Sequence, residues 1–257
     1  MNKTAFLHIP KTAGTSVSDI IESNYSAREI FSFRGNMERS YRKLRCLDES
    51  RLEQIKIFKG HFFYGIHNII ACELDYYTVM RDPVSQVLSY YNYVISNKKR
   101  IENRFSGNRY DIKEYIDSSD FVTNIQTKFL AGVNFENRSD LPDADCYEKA
   151  RTHLKKFKFI GAQEKFSDSI GRIAEELNWK HVKLKSRNAS LKSIAELEED
   201  VLEIVREKCK YDIALYEEFA SDICTGEYLP EENRMDQCLS LYRYIRNRLH
   251  WSMKGEW

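Results

Sequence analysis

The chain has 257 residues, with 40 Lys plus Arg against 39 Asp plus Glu, 42% hydrophobic and 13% aromatic content. This is enough for one large α/β domain, or two small ones, around a sizeable core, and it excludes a disordered chain. A net charge of +1 leaves no global basic field for nucleic acid, and 10 Gly with 4 Pro exclude collagen-like or low-complexity sequence.

In chain order, Thr4–Ile9 reads as a first strand, Pro10–Gly14 as a loop, and the next stretch as a helix with Val17, Ile20 and Ile21 on one face. Ile30–Phe33 and Ile55–Phe58 are short strand candidates, separated by a basic helical stretch over Arg39–Gln54. Tyr76–Met80 is the clearest buried strand, β-branched and aromatic and ended by a charged pair. A helix follows from Pro83 to Ser96. Asp82 is its natural N-cap, and Pro83 fits the first helical position, where a missing N–H costs nothing.

Further on, Phe157–Ile160 is a strand, Ser167–Asn178 a capped helix, and Ile194–Phe219 mostly helical. Short strands alternating with helices predict a parallel sheet covered on both sides. The expected organisation is one α/β domain over residues 1–225, with helical insertions near 98–150 and a C-terminal helical appendage over 226–257.

No stretch reaches the roughly 18 apolar residues of a membrane span, and Ala5–Ile9 is too short for a signal-peptide core. The chain therefore reads as cytoplasmic. Its six cysteines (Cys46, Cys72, Cys146, Cys209, Cys224, Cys238) form no C-x-x-C pair, which points to reduced thiols rather than zinc.

The segment His8-Ile9-Pro10-Lys11-Thr12-Ala13-Gly14-Thr15-Ser16 carries the most chemistry. A strand ends, a compact turn follows, and a helix begins with free N–H groups and a positive dipole end, which bind anions. Gly14 permits close approach of backbone to ligand. Lys11 adds a point charge, and Thr12, Thr15 and Ser16 add hydroxyl donors. The ATP/GTP loop G-x-x-x-x-G-K-[ST] has its lysine directly after the second glycine. Here Lys11 precedes Gly14 by three residues, so the cation approaches from the opposite end of the turn.

A second anion element, Arg81-Asp82-Pro83-Val84-Ser85-Gln86-Val87-Leu88-Ser89-Tyr90-Tyr91, follows the later strand. Arg81 leaves the strand end with a guanidinium fork suited to phosphate, while Ser85 and Ser89 share a helix face. Either element alone also fits a capped helix start beside a structural ion pair. The candidate general base is His61, in Lys59-Gly60-His61-Phe62-Phe63-Tyr64-Gly65, after a third strand and on the same sheet edge. His8 suits core packing better, and His67 is the next alternative for the base.

Together these motifs resemble the sulfotransferases that use 3′-phosphoadenosine 5′-phosphosulfate (PAPS), and the first loop is especially like their carbohydrate branch. The resemblance implies a three-layer, P-loop-NTPase-like sandwich with a central parallel sheet. It implies that Lys11, Thr12, Ala13, Gly14, Thr15 and Ser16 hold the 5′-phosphosulfate, with Lys11 steadying the leaving oxygen. Arg81 and Ser89 would hold the 3′-phosphate, within the family pattern R-D-P-x-x-R-x-x-S-x-Y. Gln86 stands where that pattern has a second arginine. The G-H of the uronyl 2-O-sulfotransferases matches Gly60-His61 and implies His61 as base. Lys59 stands where that subfamily has another histidine, and is a candidate contact to the sulfuryl oxygens.

Asn124–Gly132 and Phe159–Phe166 resemble further family elements, and Arg187-Asn188-Ala189-Ser190 a loop over the nucleotide. The expectation is transfer from PAPS to a hydroxyl, with PAP as product, no metal, no nucleic acid and a glycan or small-molecule acceptor. Basic stretches over Lys98–Lys113 and Arg39–Arg51 fit the walls of a cleft for an acidic acceptor, or ordinary solvated helix faces. The apolar face of Cys238–Met253 fits packing on its own domain, a homodimer contact or, least well, a membrane surface. The rival readings are an ATP-dependent small-molecule kinase, which needs Mg²⁺, and a non-catalytic polyanion-binding module.

Overall fold

The computed structural model describes residues 2–96, 112–118, 122–132, 144–183, 197–221 and 247. Five strands, β1 (Lys3–Leu7), β2 (Ile30–Phe33), β3 (Ile57–Gly60), β4 (Leu74–Met80) and β5 (Phe159–Ala162), form an open sheet in the order β2-β3-β1-β4-β5. Every neighbouring pair is parallel. The strand centres carry inward residues of both faces. Ala5 and Leu7 of β1 pack with Phe31, Phe58, Tyr76 and Met80 on one side, while Phe6 packs with Ile30, Ile57, Tyr77 and Val79 on the other. This double burial is what a parallel sheet covered on both faces requires.

The helices follow from the direction of each connection. The chain moves from β1 outward to β2 through α1 (Gly14–Asn24), whose Val17, Ile20 and Ile21 cover the Phe6 face. The later connections run the other way across the sheet and fall on the Ala5 face, as right-handed crossovers demand. These are α2 (Met37–Arg45) and α3 (Glu49–Gln54), then α4 (Ile66–Ile70), then α5 (Pro83–Ile95), α6 (Ile112–Ser118), α7 (Ile125–Ala131) and α8 (Ala144–Leu154). Leu44, Ile66, Phe129, Leu130 and Leu154 are their buried contributions to that face. After β5, α9 (Phe166–Glu176) returns to the Phe6 face, whereas Leu215 of α11 (Lys210–Phe219), which follows α10 (Glu199–Lys208), packs with the Ala5 face. A satellite core joins α5, α6 and α10 through Leu88, Tyr91, Tyr115, Ile116, Val201 and Val205.

Several boundaries differ from the sequence pattern. The basic stretch is two helices, because Asp48 caps a new start by accepting from the Arg51 N–H. The helical stretch ending at Phe219 likewise breaks at Cys209 into α10 and α11. The strands expected over Ile55–Phe58 and Phe157–Ile160 each lie two residues later, over Ile57–Gly60 and Phe159–Ala162. The helix expected to be capped at Ser167 starts at Phe166 with no side-chain cap, continuing a 3₁₀ turn over Gln163–Lys165. Asp82 does cap α5, accepting from the Ser85 N–H at 2.7 Å.

Among the described residues no helix is long and apolar enough to cross a membrane. Cys46, Cys72, Cys146 and Cys209 are free thiols. Cys224, Cys238, the Arg187–Ser190 segment and all of the Cys238–Met253 stretch except Asn247 lie outside the described residues.

One polar lock holds the second layer in place. Asp212 of α11 is 1% exposed and accepts from the N–H groups of Gln126 and Thr127 and from the Thr127 hydroxyl, at 2.7–3.1 Å. It thereby caps α7 from another helix. In return the Asn124 side chain, just before α7, accepts from the N–H groups of Tyr211 and Asp212 in the first turn of α11. Burial pushes the Asp212 carboxyl up to about 6, against the lowering by these hydrogen bonds. Asp212→Ala leaves two buried N–H groups without an acceptor. We expect a loss of about 2–4 kcal/mol of stability, read as a lower urea midpoint at unchanged slope.

Candidate functional site

Chain leaves β1 toward the β2 edge and leaves the neighbouring β4 toward the β5 edge. The carboxyl ends of β1 and β4 therefore flank the crevice where open α/β sheets bind ligands. The register sets the constellation. Leu7 lies opposite Gly60 of β3 and Thr78 of β4, so His8 and His61 emerge side by side, with Arg81 three residues past Thr78.

The turn after β1 is built by two left-handed residues, Lys11 at φ 67° and Ala13 at φ 61°. The Thr12 hydroxyl is turned inward, donating to the Ile9 carbonyl at 2.9 Å, and thus braces the turn. Ala13 is the N-cap of α1 and offers no side-chain cap, and the first turn has no acidic residue. The N–H groups of Ser16 and Val17 bond the Ala13 carbonyl, while helix geometry gives those of Gly14 and Thr15 no partner within α1. By contrast α2, α3 and α5 are capped by Asn36, Asp48 and Asp82.

The second element clamps the first. The Arg81 Nη1 donates to the Lys11 carbonyl at 3.0 Å, and Gln86 Nε2 donates to the Pro10 carbonyl at 2.7 Å. Gln86 is thus a buried tie between α5 and the turn, a role its place in the family pattern did not suggest. Arg81 is held in turn through its backbone, where Gln126 accepts from the N–H at 3.1 Å and donates to the carbonyl at 2.7 Å. Glu164 stands 4.0 Å from Arg81 Nε, accepts from the Asp82 N–H, and receives the Tyr216 hydroxyl at 2.8 Å. Glu164 is therefore a structural acceptor. Burial lowers the Arg81 pKa against the raising effect of Glu164 and Asp82, and a guanidinium remains protonated. The Lys11 ammonium lies 4.6 Å from the Tyr93 ring centroid, a cation–π contact. Tyr93 lies one turn past Ser89 on α5, so Ser89 and the Lys11 ammonium lie along the same helix face.

On the β3 side His61 Nδ1 is 2.8 Å from the His8 carbonyl oxygen. A carbonyl only accepts, so Nδ1 carries the hydrogen and the Nε2 lone pair is left for a proton. The His8 and His61 rings stack at 4.2 Å and 28°. His8 thus packs as expected, and the surface it packs against is the candidate base, His61. A Cβ on Gly14 would come within 1.8 Å of His8 Nε2. The room that Gly14 makes is taken by this imidazole, not left for a ligand as the sequence suggested. Gly60, at φ 120°, is required for a different reason, since a Cβ there would lie 2.3 Å from the Phe33 carbonyl.

Lys59 does not reach this edge. It is 3% exposed and its Nζ lies 2.6 Å from Glu22 Oε1 and 2.5 Å from Ser18 Oγ beneath α1. Glu22, fully buried, also receives Arg34 at 2.6 Å. Lys59 is therefore a buried structural cation, and the candidate sulfuryl contact is not made by it. Half of the signal was present in the sequence: Lys59 has the same strand parity as Ile57, whereas Glu22 lies off the Val17, Ile20 and Ile21 stripe of α1 and its burial shows only in the fold. An inward Lys demands an inward carboxylate.

Thr15, Ser18, Asp19, Glu22, Arg34 and both imidazoles border a cavity of about 260 Å³ between α1 and the β1–β3–β2 end of the sheet. Among the described residues no group of three or more His, Cys, Asp or Glu is disposed to hold a metal ion. Of the basic stretches, Arg39–Arg51 lies on α2 and α3 and the turn between them, and Lys113 is the one basic residue of Lys98–Lys113 among the described residues. A scan against protein-family models and a search of curated proteins return no match to this chain.

Burial lowers the pKa of His8 well below the ordinary 6.5, with His61, Lys59 and Lys11 adding to it. Burial also lowers that of His61, opposed by the hydrogen bond to His8. Below pH 6.5 the unfolded chain takes up protons that these rings refuse when folded. Stability is therefore complete above that value and falls as the pH drops through the lowered pKa values. Comparing urea midpoints of the native chain and His8→Gln at pH 7.5 and 5.5 should show a smaller acid loss in the variant, with other groups cancelling.

Proposed function

We propose that this protein is a sulfotransferase that moves a sulfuryl group from PAPS to an acceptor hydroxyl, most suitably that of a carbohydrate. In this reading the sheet is a P-loop-NTPase-like three-layer sandwich. The observation that carries it is the joining of two anion elements across adjacent strand ends, with Arg81 bonded to the Lys11 carbonyl and a basic nitrogen of His61 on the other flank. The spacing of Lys11 before Gly14 separates this turn from the triphosphate loop.

The donor fits what the turn offers. The N–H groups of Gly14 and Thr15 and the α1 dipole meet the 5′-phosphosulfate, and Lys11 leaves Tyr93 to neutralise the leaving phosphate oxygen. Arg81 and Ser89 take the 3′-phosphate. Thr12 contributes by bracing the turn through its inward hydroxyl rather than by contacting the donor. In the transfer, the acceptor oxygen forms a bond to sulfur as the bond from sulfur to the bridging phosphate oxygen breaks. That electron pair stays on the phosphate of PAP, and the acceptor proton passes to His61 Nε2. The reaction needs no metal, since positive charge comes from Lys11, Arg81 and backbone dipoles.

With ³⁵S-labelled PAPS and a panel of glycan acceptors, Lys11→Ala and Arg81→Lys should each reduce transfer by at least about tenfold, and His61→Gln by about 10²–10⁴. Chelation of Mg²⁺ should leave transfer unchanged, whereas a kinase would lose activity. Unchanged turnover in Lys11→Ala would sink the assignment. Since burial holds His61 below the ordinary imidazole range, kcat/KM should stay level through neutral pH and fall only on its acid side. His61→Gln should abolish that acid limb.

A further inference from the structure

We infer that the cavity beside His61 seats one neutral polyhydroxylated ring, a pyranose or cyclitol, as the acceptor. The inference rests on the sulfotransferase reading and narrows its acceptor. The cavity shares Gly14 and Thr15 with the anion turn and has His61 in its wall, so a hydroxyl held there lies between the candidate base and the start of α1. Its volume of about 260 Å³ is below the roughly 300–1,000 Å³ of drug-sized sites, which suits a single ring rather than an oligosaccharide lying within it.

The lining chooses the chemistry. Four charged side chains border the space, Asp19, Glu22, Arg34 and Lys59, and their formal charges cancel. Glu22 Oε1 already receives both Arg34 and Lys59, so neither cation is left over to balance a uronate. A carboxylate entering here would also face Asp19. Hydroxyls, which donate and accept, suit mixed walls better. Ser32 lines the cavity, and its buried hydroxyl makes no hydrogen bond. A turn about χ1 would bring that hydroxyl to an entering ring hydroxyl and give it a partner. Phe6 and Ile21, on the α1 side of the sheet, supply the apolar lining for the C–H face of the ring. The acidic-acceptor expectation from the basic stretches is thereby replaced, for the ring that reacts, by a neutral one.

The test follows the His61 and His8 ring signals by NMR while methyl β-D-galactopyranoside, myo-inositol or glucuronate is titrated, with and without saturating PAP. We expect saturable shifts with at least one neutral ring and binding of glucuronate weaker by about tenfold or more. Ser32→Leu, which fills the cavity, should abolish the shifts while PAP affinity by calorimetry stays unchanged. Asp19→Asn gives the lining a net positive charge and should narrow the preference against glucuronate, which keeps the test decisive if the leucine variant misfolds. Glucuronate binding as tight as the neutral rings, no shift with either neutral ring, or binding indifferent to both substitutions would overturn the inference. PAP failing to bind would sink the donor reading alone, because the titration without PAP reads the cavity by itself.

Discussion

Everything at the candidate site hangs on the parallel pairing of β1 with β3 on one side and β4 on the other. A parallel ladder leaves all strands at the same edge, and the register then decides which side chains leave together. With Leu7 opposite Gly60 and Thr78, the imidazoles of residues 8 and 61 meet, and the guanidinium of residue 81 reaches the turn between them and α1. A slip of one residue would turn His61 to the opposite face of the sheet and place Phe62 beside His8. The Thr78 hydroxyl, donating to the Leu7 carbonyl at 2.8 Å, adds a side-chain bond at the last pair of that ladder.

Behind the edge lies a relay of buried polar contacts that converts tertiary packing into site geometry. Asp212 holds the start of α7, Gln126 of α7 holds the backbone of Arg81, and Arg81 with Gln86 holds the carbonyls of the turn. Gln126 is fully buried and Gln86 nearly so. Such groups are tolerated only when satisfied, and satisfied ones fix position more sharply than apolar contacts do. The turn has two left-handed residues without glycine's freedom, Lys11 and Ala13, so it needs such outside support.

Local chemistry was the legible portion of the sequence. The strand–turn–helix around Lys11, the Asp82–Pro83 start of α5 and the buried run of β4 were all readable, because each is set by residues within a few positions of one another. What was not readable depended on chain distance. His8 sits at the end of an apolar strand and reads as core, and only the adjacent β3 reveals its partner 53 residues away. Gln86 reads as a gap in a motif until the Pro10 carbonyl appears opposite it. Asn124 and Asp212 are unremarkable polar residues in isolation, and their mutual capping spans about 88 residues of chain. Lys59 was misread as exposed chemistry, although its place on the strand demanded a buried carboxylate.

The contact between Gly14 and His8 has a consequence for how the protein can vary. The imidazole fills the volume that any larger residue at position 14 would claim, so the two positions form one steric unit. A change at either alone leaves a collision or a void. Descendants of this chain should drift at the pair in concert, a bulkier residue at 14 appearing only after a smaller one at 8. Wherever that exchange has happened, His61 will have lost its stacked companion, and the lineage will have had to find another way to steady it.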